Sequence, residues 1–115
     1  MAPADKQSGL VQGTLEMLIL KTLALEPMHA YGIGVRIEQI SRGVFVVNAG
    51  SLFPAFRRLE RGGLIKGEWR ATENNRRAKY YALTAQGRAK LKRQTSDWEI
   101  QTNAITRILK ATGEA

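Results

Sequence analysis

The sequence predicts a mainly α fold with a small β-hairpin, on three observations. Apolar residues recur at helical spacing in three stretches between Leu10 and Leu59; the period then shortens to strand-like runs between Leu64 and Leu83; a seven-residue periodicity occupies the remainder. A chain of 115 residues and 12.8 kDa has room for one core. Its 43% hydrophobic and 24% charged residues are those of an ordinary globular domain, neither disordered nor fibrous.

Residues 1–9 are polar and are expected to form a flexible tail. From Leu10 to Leu25 the chain is apolar almost all round and rich in good helix formers, so this helix should be buried on more than one side, with Glu16 and Lys21 left wet. Pro27 closes it. A second helix is expected over Tyr31 to Ser41, with Ile33, Ile37 and Ile40 inward and Gly43 as its stop. Gly34 inside it costs about 1 kcal/mol relative to alanine. His29, just ahead of it, reads as a turn or capping residue. Val44 to Val47 is a short β-type run. Ser51 can cap a third helix with Pro54 in its first turn, an inward stripe of Leu52, Ala55, Phe56 and Leu59, and a stop at Gly62-Gly63.

Leu64 to Arg70 and Lys79 to Leu83 read as two strands, joined by a polar stretch whose Asn74-Asn75 suits a turn. Of the adjacent Tyr80 and Tyr81, one should enter the core and the other reach the rim. Thr84 can cap a last helix running to about Ala111, in which Leu91, Trp98 and Ile105 repeat every seven residues with Gln94, Gln101 and Ile108 three further on. Three helices, a hairpin and an added helix make a winged helix-turn-helix with a C-terminal extension: tail 1–9, winged unit 10–83, dimerisation helix 84–115.

Charge is concentrated. The chain carries +8 overall, but Arg57 to Arg93 hold twelve basic against three acidic residues, leaving six basic against seven acidic elsewhere. A basic segment in an otherwise neutral domain favours a polyanionic partner. The absence of cysteine removes disulfides and thiolate chemistry, one histidine cannot build a metal site, and no paired carboxylates suggest hydrolysis. No enzyme, cofactor or metal is expected. No stretch is long and apolar enough to span a membrane and the start lacks a signal-peptide core, so a cytoplasmic protein is expected.

A third helix of this kind can enter the major groove of double-stranded DNA while the hairpin tip reaches flanking phosphates. Phe53, Arg57 and Arg61 share an outward face with Arg58 beside it, and Asn48, Ser51 and Pro54 lie at the start of that helix. Arg57 and Arg58 are the central candidates, for bases or for phosphates. Asn75, Arg76, Arg77 and Lys79 are the wing candidates, expected to position rather than specify. The heptad stripe of Leu91, Trp98, Ile105 and Ile108, with Leu15 and Leu18 of the first helix, has nowhere to be buried except against a second copy, so a homodimer is expected. Gln94 and Gln101 interrupt that seam around Trp98. They either set its register or leave an opening for a small molecule.

Taken in order, Gly13-Thr14-Leu15-Glu16-Met17-Leu18-Ile19-Leu20, His29-Ala30-Tyr31-Gly32-Ile33, Gly50-Ser51-Leu52-Phe53-Pro54-Ala55-Phe56-Arg57-Arg58-Leu59-Glu60, Gly63-Leu64-Ile65 and Arg77-Ala78-Lys79-Tyr80-Tyr81-Ala82-Leu83-Thr84 resemble the PadR family of transcriptional regulators from Leu10 to about Leu109. The resemblance implies a dimeric winged-helix repressor on a pseudo-palindromic operator, often released by a small hydrophobic effector. The single C-terminal helix is similar to that of the family's compact subgroup, where an aromatic residue matching Trp98 can line an effector cavity with neighbours such as Gln94 and Gln101. The family commonly has tyrosine where Phe53 stands, which removes one hydroxyl contact to phosphate. Two other readings use the same basic segment: a winged-helix module for RNA, and a protein-interaction module for an acidic partner.

Overall fold

A computed structural model describes residues 13–113. Leu10 and Val11, and the tail over 1–9, lie outside the described residues. The order is α1 (Thr14–Leu25), β1 (Met28–His29), α2 (Ala30–Ile40), α3 (Ala49–Arg61), β2 (Ile65–Ala71), β3 (Arg77–Leu83) and α4 (Ala85–Leu109). The strands form one antiparallel sheet in the order β1-β3-β2, with Gly67 opposite Tyr81, Trp69 opposite Lys79, and His29 opposite Tyr80. This is a mainly helical fold with a small sheet, as the change of period predicts.

The core gathers a stripe from each of the first three helices and from the sheet: Ile19, Leu20 and Leu23 of α1, Ile33 and Ile37 of α2, Leu52, Phe56 and Leu59 of α3, and Ile65, Tyr81 and Leu83 of β2 and β3. The four inward positions read from α3's periodicity are all buried. Phe56 meets Tyr81 edge to face, with centroids 4.6 Å apart, which joins α3 to the sheet where the hairpin leaves the core. Tyr80, one residue along, is only half-buried, as strand alternation requires.

Helix ends follow the sequence in two places and depart from it in a third. His29 caps α2, its Nδ1 accepting from the Gly32 N–H at 3.0 Å. Thr84 caps α4 by accepting from the Gly87 N–H at 3.0 Å, and its own hydroxyl donates to the Gly63 carbonyl at 2.7 Å. Gly87 is required there, because a Cβ would run into the Leu64 carbonyl. In α3 the cap is Asn48, not Ser51: Asn48 has extended backbone and its Oδ1 accepts from the Ser51 N–H at 3.0 Å. The helix therefore starts at Ala49, and Pro54 falls in its second turn, where it cannot donate to the Gly50 carbonyl four residues back.

Two further expectations are corrected. Val44 to Val47 is not a strand; Phe45 and Val47 turn toward the core while Val44 and Val46 stay exposed, an alternation with no neighbouring strand to pair with. The short strand lies instead at Met28–His29, on the free edge of β3. Ile40 is exposed because α2 ends there at its Ser41 C-cap. Gly34, costly on propensity alone, lies where α2 packs on α3, and a Cβ there would stand 3.4 Å from the Leu52 side chain, an ordinary contact.

Candidate nucleic-acid interface

The recognition surface starts from α3, whose amphipathic division is sharp. Leu52, Ala55, Phe56 and Leu59 face the core, while Phe53, Arg57 and Arg61 are exposed at four-residue spacing on the opposite side. Among the described residues no ion pair engages Arg57 or Arg61, so both guanidiniums are available to an anion. Phe53 keeps 44% of its surface exposed and turns toward solvent, not into the core.

Arg58 is placed differently. Its Nε donates to Glu16 Oε2 at 2.6 Å, tying α3 to α1 across 42 residues of sequence. Glu16, expected on a wet face, is thus a half-buried partner of the recognition helix. At the other side of α3, Glu60 Oε2 stands 3.3 Å from Lys79 Nζ of β3, and Lys79 also lies 5.5 Å from the Tyr81 ring centroid. Of the basic candidates, Arg58 and Lys79 are engaged in ion pairs within the chain, Arg58 linking α3 to α1 and Lys79 linking β3 to α3. Asn48 and Ser51 share the cap bond at the start of the helix.

The wing is the β2–β3 hairpin with a tip at residues 72–76. The Thr72 N–H donates to the Arg76 carbonyl at 2.6 Å and the Asn75 N–H to the Thr72 carbonyl at 3.1 Å, closing a turn in which Asn75 takes a left-handed φ of 60°. Arg76 is exposed on this tip. Arg77 begins β3 and lays its guanidinium 5.4 Å from the Trp69 ring centroid, while Arg70 lies 4.9 Å from that of Tyr80 on the other face. Trp69 and Arg70 are exposed on opposite faces of the wing; the sequence places Arg70 in the basic segment but marks Trp69 only as a strand former. The missed signal was a large aromatic in an alternating strand with too few core partners.

Between the wing and the start of α2 and α3 runs an open trough of 670 Å³ bordered by Tyr31, Phe53, Asn74 and Tyr80. A second groove of 230 Å³ lies between α1 and α4, lined by Thr14, Met17, Gln94, Asp97, Trp98 and Gln101. There Gln94 Oε1 is buried with no hydrogen-bond partner among the described residues. Trp98, Gln94 and Gln101, read from the heptad pattern, thus meet in one groove closed on its far side by α1. Leu15, Leu18 and Leu91 pack partly against the core, whereas Ile105 and Ile108 are exposed. No helix among the described residues is long and apolar enough to cross a membrane.

Comparison with known proteins gives a consistent answer. The profile of the transcriptional regulator PadR-like family matches residues 19–93. The structure of a transcriptional regulator from Clostridium thermocellum superposes with a TM-score of 0.80 at 27% identity, covering 89% of this chain and 99% of that one. The crystal structure of a PadR family transcriptional regulator from Eggerthella lenta superposes at 0.79 with 28% identity, covering 95% and 93%. An uncharacterized protein X of Lysinibacillus sphaericus is 25% identical over 92 residues, 80% of this chain and 84% of its own length.

Proposed function

The chain belongs to the PadR-like family of transcriptional regulators, and on that premise we propose that it works as a homodimeric repressor on a pseudo-palindromic operator, released by a small hydrophobic effector. Membership makes it a regulator that acts through DNA, with no reaction to catalyse. In the proposed division, residues 10–83 form the winged DNA-binding unit and 84–115 the dimerisation helix.

One observation carries the DNA-binding reading: Phe53, Arg57 and Arg61 line the exposed face of α3 beside a wing whose tip and second strand present Arg76 and Arg77. A helix inserted in the major groove brings the wing onto the flanking backbone. Arg57 is then the base-reading candidate, Arg61 and Arg76 meet phosphates, and Asn75 adds a neutral hydrogen bond at the tip. Lys79 contributes by tying the wing to α3, and Arg58 is held by Glu16 beside the reading face. Two copies joined along α4 would set two such helices about 34 Å apart, one helical turn of the duplex.

Dimerisation is supported by the apolar outer half of α4, where Ile100, Ile105, Ile108 and Leu109 are each more than half exposed. The effector reading is supported by the α1–α4 groove, in which the Trp98 ring offers an apolar stacking surface and Gln94 Oε1 an acceptor with no partner among the described residues. A planar, mostly apolar molecule with one donor fits that chemistry.

The test is fluorescence anisotropy with the duplex upstream of the protein's own gene and a shuffled duplex of equal length, at two salt concentrations. Preference for the native duplex by about 10³ or more at the higher salt supports the reading. Equal binding that falls together as salt rises would leave only an electrostatic footprint and favour an RNA or protein partner.

A further inference from the structure

Trp69 is 56% exposed on β2, a large apolar surface left open on a hairpin that is otherwise strongly basic. Its orientation follows from strand register. Gly67 opposes Tyr81, Trp69 opposes Lys79 and Ala71 opposes Arg77, so these six residues share one face of the hairpin. That face is turned to α3: Tyr81 meets Phe56 and Lys79 meets Glu60. Trp69 stands across from Lys79 on the outer strand, one position outward of Gly67 on β2. The Arg77 guanidinium lies over its ring at 5.4 Å.

We propose that Trp69 is a DNA-contacting residue of the wing, seating its indole against the deoxyribose wall of the groove next to the one α3 enters and holding Arg77 in place for the adjoining phosphate. The inference rests on the DNA-binding reading above and extends it to a residue to which that reading gives no role. Three features point to this occupant. The ring is on the side of the wing where a duplex engaged by Arg57 and Arg61 would lie. It carries the cation of Arg77, on a hairpin tip that also presents Arg76, which suits a polyanion and repels a basic partner. Deoxyribose, unlike phosphate, offers the apolar surface an indole can cover, so ring and guanidinium together match the alternation of sugar and phosphate along one strand. Stacking also restricts the rotamers of Arg77 before binding, so less freedom is lost when the guanidinium meets its phosphate.

The experiment uses the full chain and a fluorescently labelled duplex of the upstream region, comparing the wild type with W69A, W69F and R77A, each first shown to unfold cooperatively. The labelled duplex reports affinity; tryptophan emission, taken as wild type minus W69F, reports Trp69 itself. W69A should weaken binding about tenfold without changing the salt slope, since no charge is lost, while R77A lowers that slope by about one. W69F should retain most of the affinity, and the Trp69 emission should be quenched by saturating duplex. Undiminished affinity of W69A, or a Trp69 emission indifferent to bound duplex, overturns the proposal while leaving the DNA-binding reading intact. Failure of the wild type to bind any duplex overturns both, and the labelled duplex tells the two failures apart.

Discussion

The winged unit and α4 are built on opposite terms. From Ile19 to Leu83 every element contributes to one closed core, with Phe56 and Leu59 at most 2% exposed. Along the 25 residues of α4 only Gly87 is buried, and the outer half presents Ile100, Ile105, Ile108 and Leu109 to solvent. The winged unit buries an apolar stripe from α1, α2, α3 and the sheet within the chain, whereas the apolar outer half of α4 has no such cover among the described residues. In the dimer proposed above, such a division would keep the reading head rigid while a contact between chains sets the distance between two heads.

The harshest way to break the contrast is to attack the head from within. Phe56→Ala removes a fully buried ring that joins α3 to Tyr81, and should destabilise the protein by about 3–5 kcal/mol, read as a large fall in thermal midpoint with loss of all DNA binding. An Ile105→Glu, Ile108→Glu double variant tests the other side. Both positions are exposed, so the head should keep its fold, while sedimentation shifts to monomer and operator affinity falls by about tenfold or more as the two half-sites uncouple. A wild-type midpoint that rises with protein concentration, and a variant midpoint that does not, would separate dimer stability from head stability. An unchanged dimer would place the subunit contact elsewhere.

How much of this was legible in the sequence divides along the same line. The α3 stripe, the His29 and Thr84 caps and the α4 heptads were readable because each depends on residues within a turn or two. Met28–His29 as a strand was not, since two residues carry no period and their pairing with Tyr81 and Tyr80 is made by the distant hairpin. Val44 to Val47 misled for the converse reason: β-branched residues suit a strand, yet no partner lies beside them. Asn48 and Ser51 are both good caps, and local sequence does not choose between them. The Glu16–Arg58 pair was invisible because it spans two helices that only the folded core brings together, so Arg58 read as a free cation.

Smaller changes sharpen the account of the head. Asn48→Ala removes the side-chain acceptor for the Ser51 N–H and should cost about 1 kcal/mol of stability, with Asn48→Ser recovering most of it. A full loss of stability after Asn48→Ser as well would mean that Asn48 does more than cap.

The smallest expected effect on stability has the most to say about function. Glu16 and Arg58 have side chains 25% and 56% exposed, so their ion pair is worth no more than about 1 kcal/mol, and Glu16→Gln should barely move the thermal midpoint. The guanidinium it releases stands on α3 next to Arg57, and the removed carboxylate no longer repels phosphate. Operator affinity should rise, and its salt dependence should steepen by about one counterion if Arg58 then takes a phosphate. If affinity falls instead, the pair's value lies in fixing α3 against α1, and Arg58 is a positioning residue whose charge the duplex never meets. Because Thr14 and Met17 line the groove of Trp98 on the same first turns of α1 that carry Glu16, the second outcome would place that ion pair between the groove and the recognition helix.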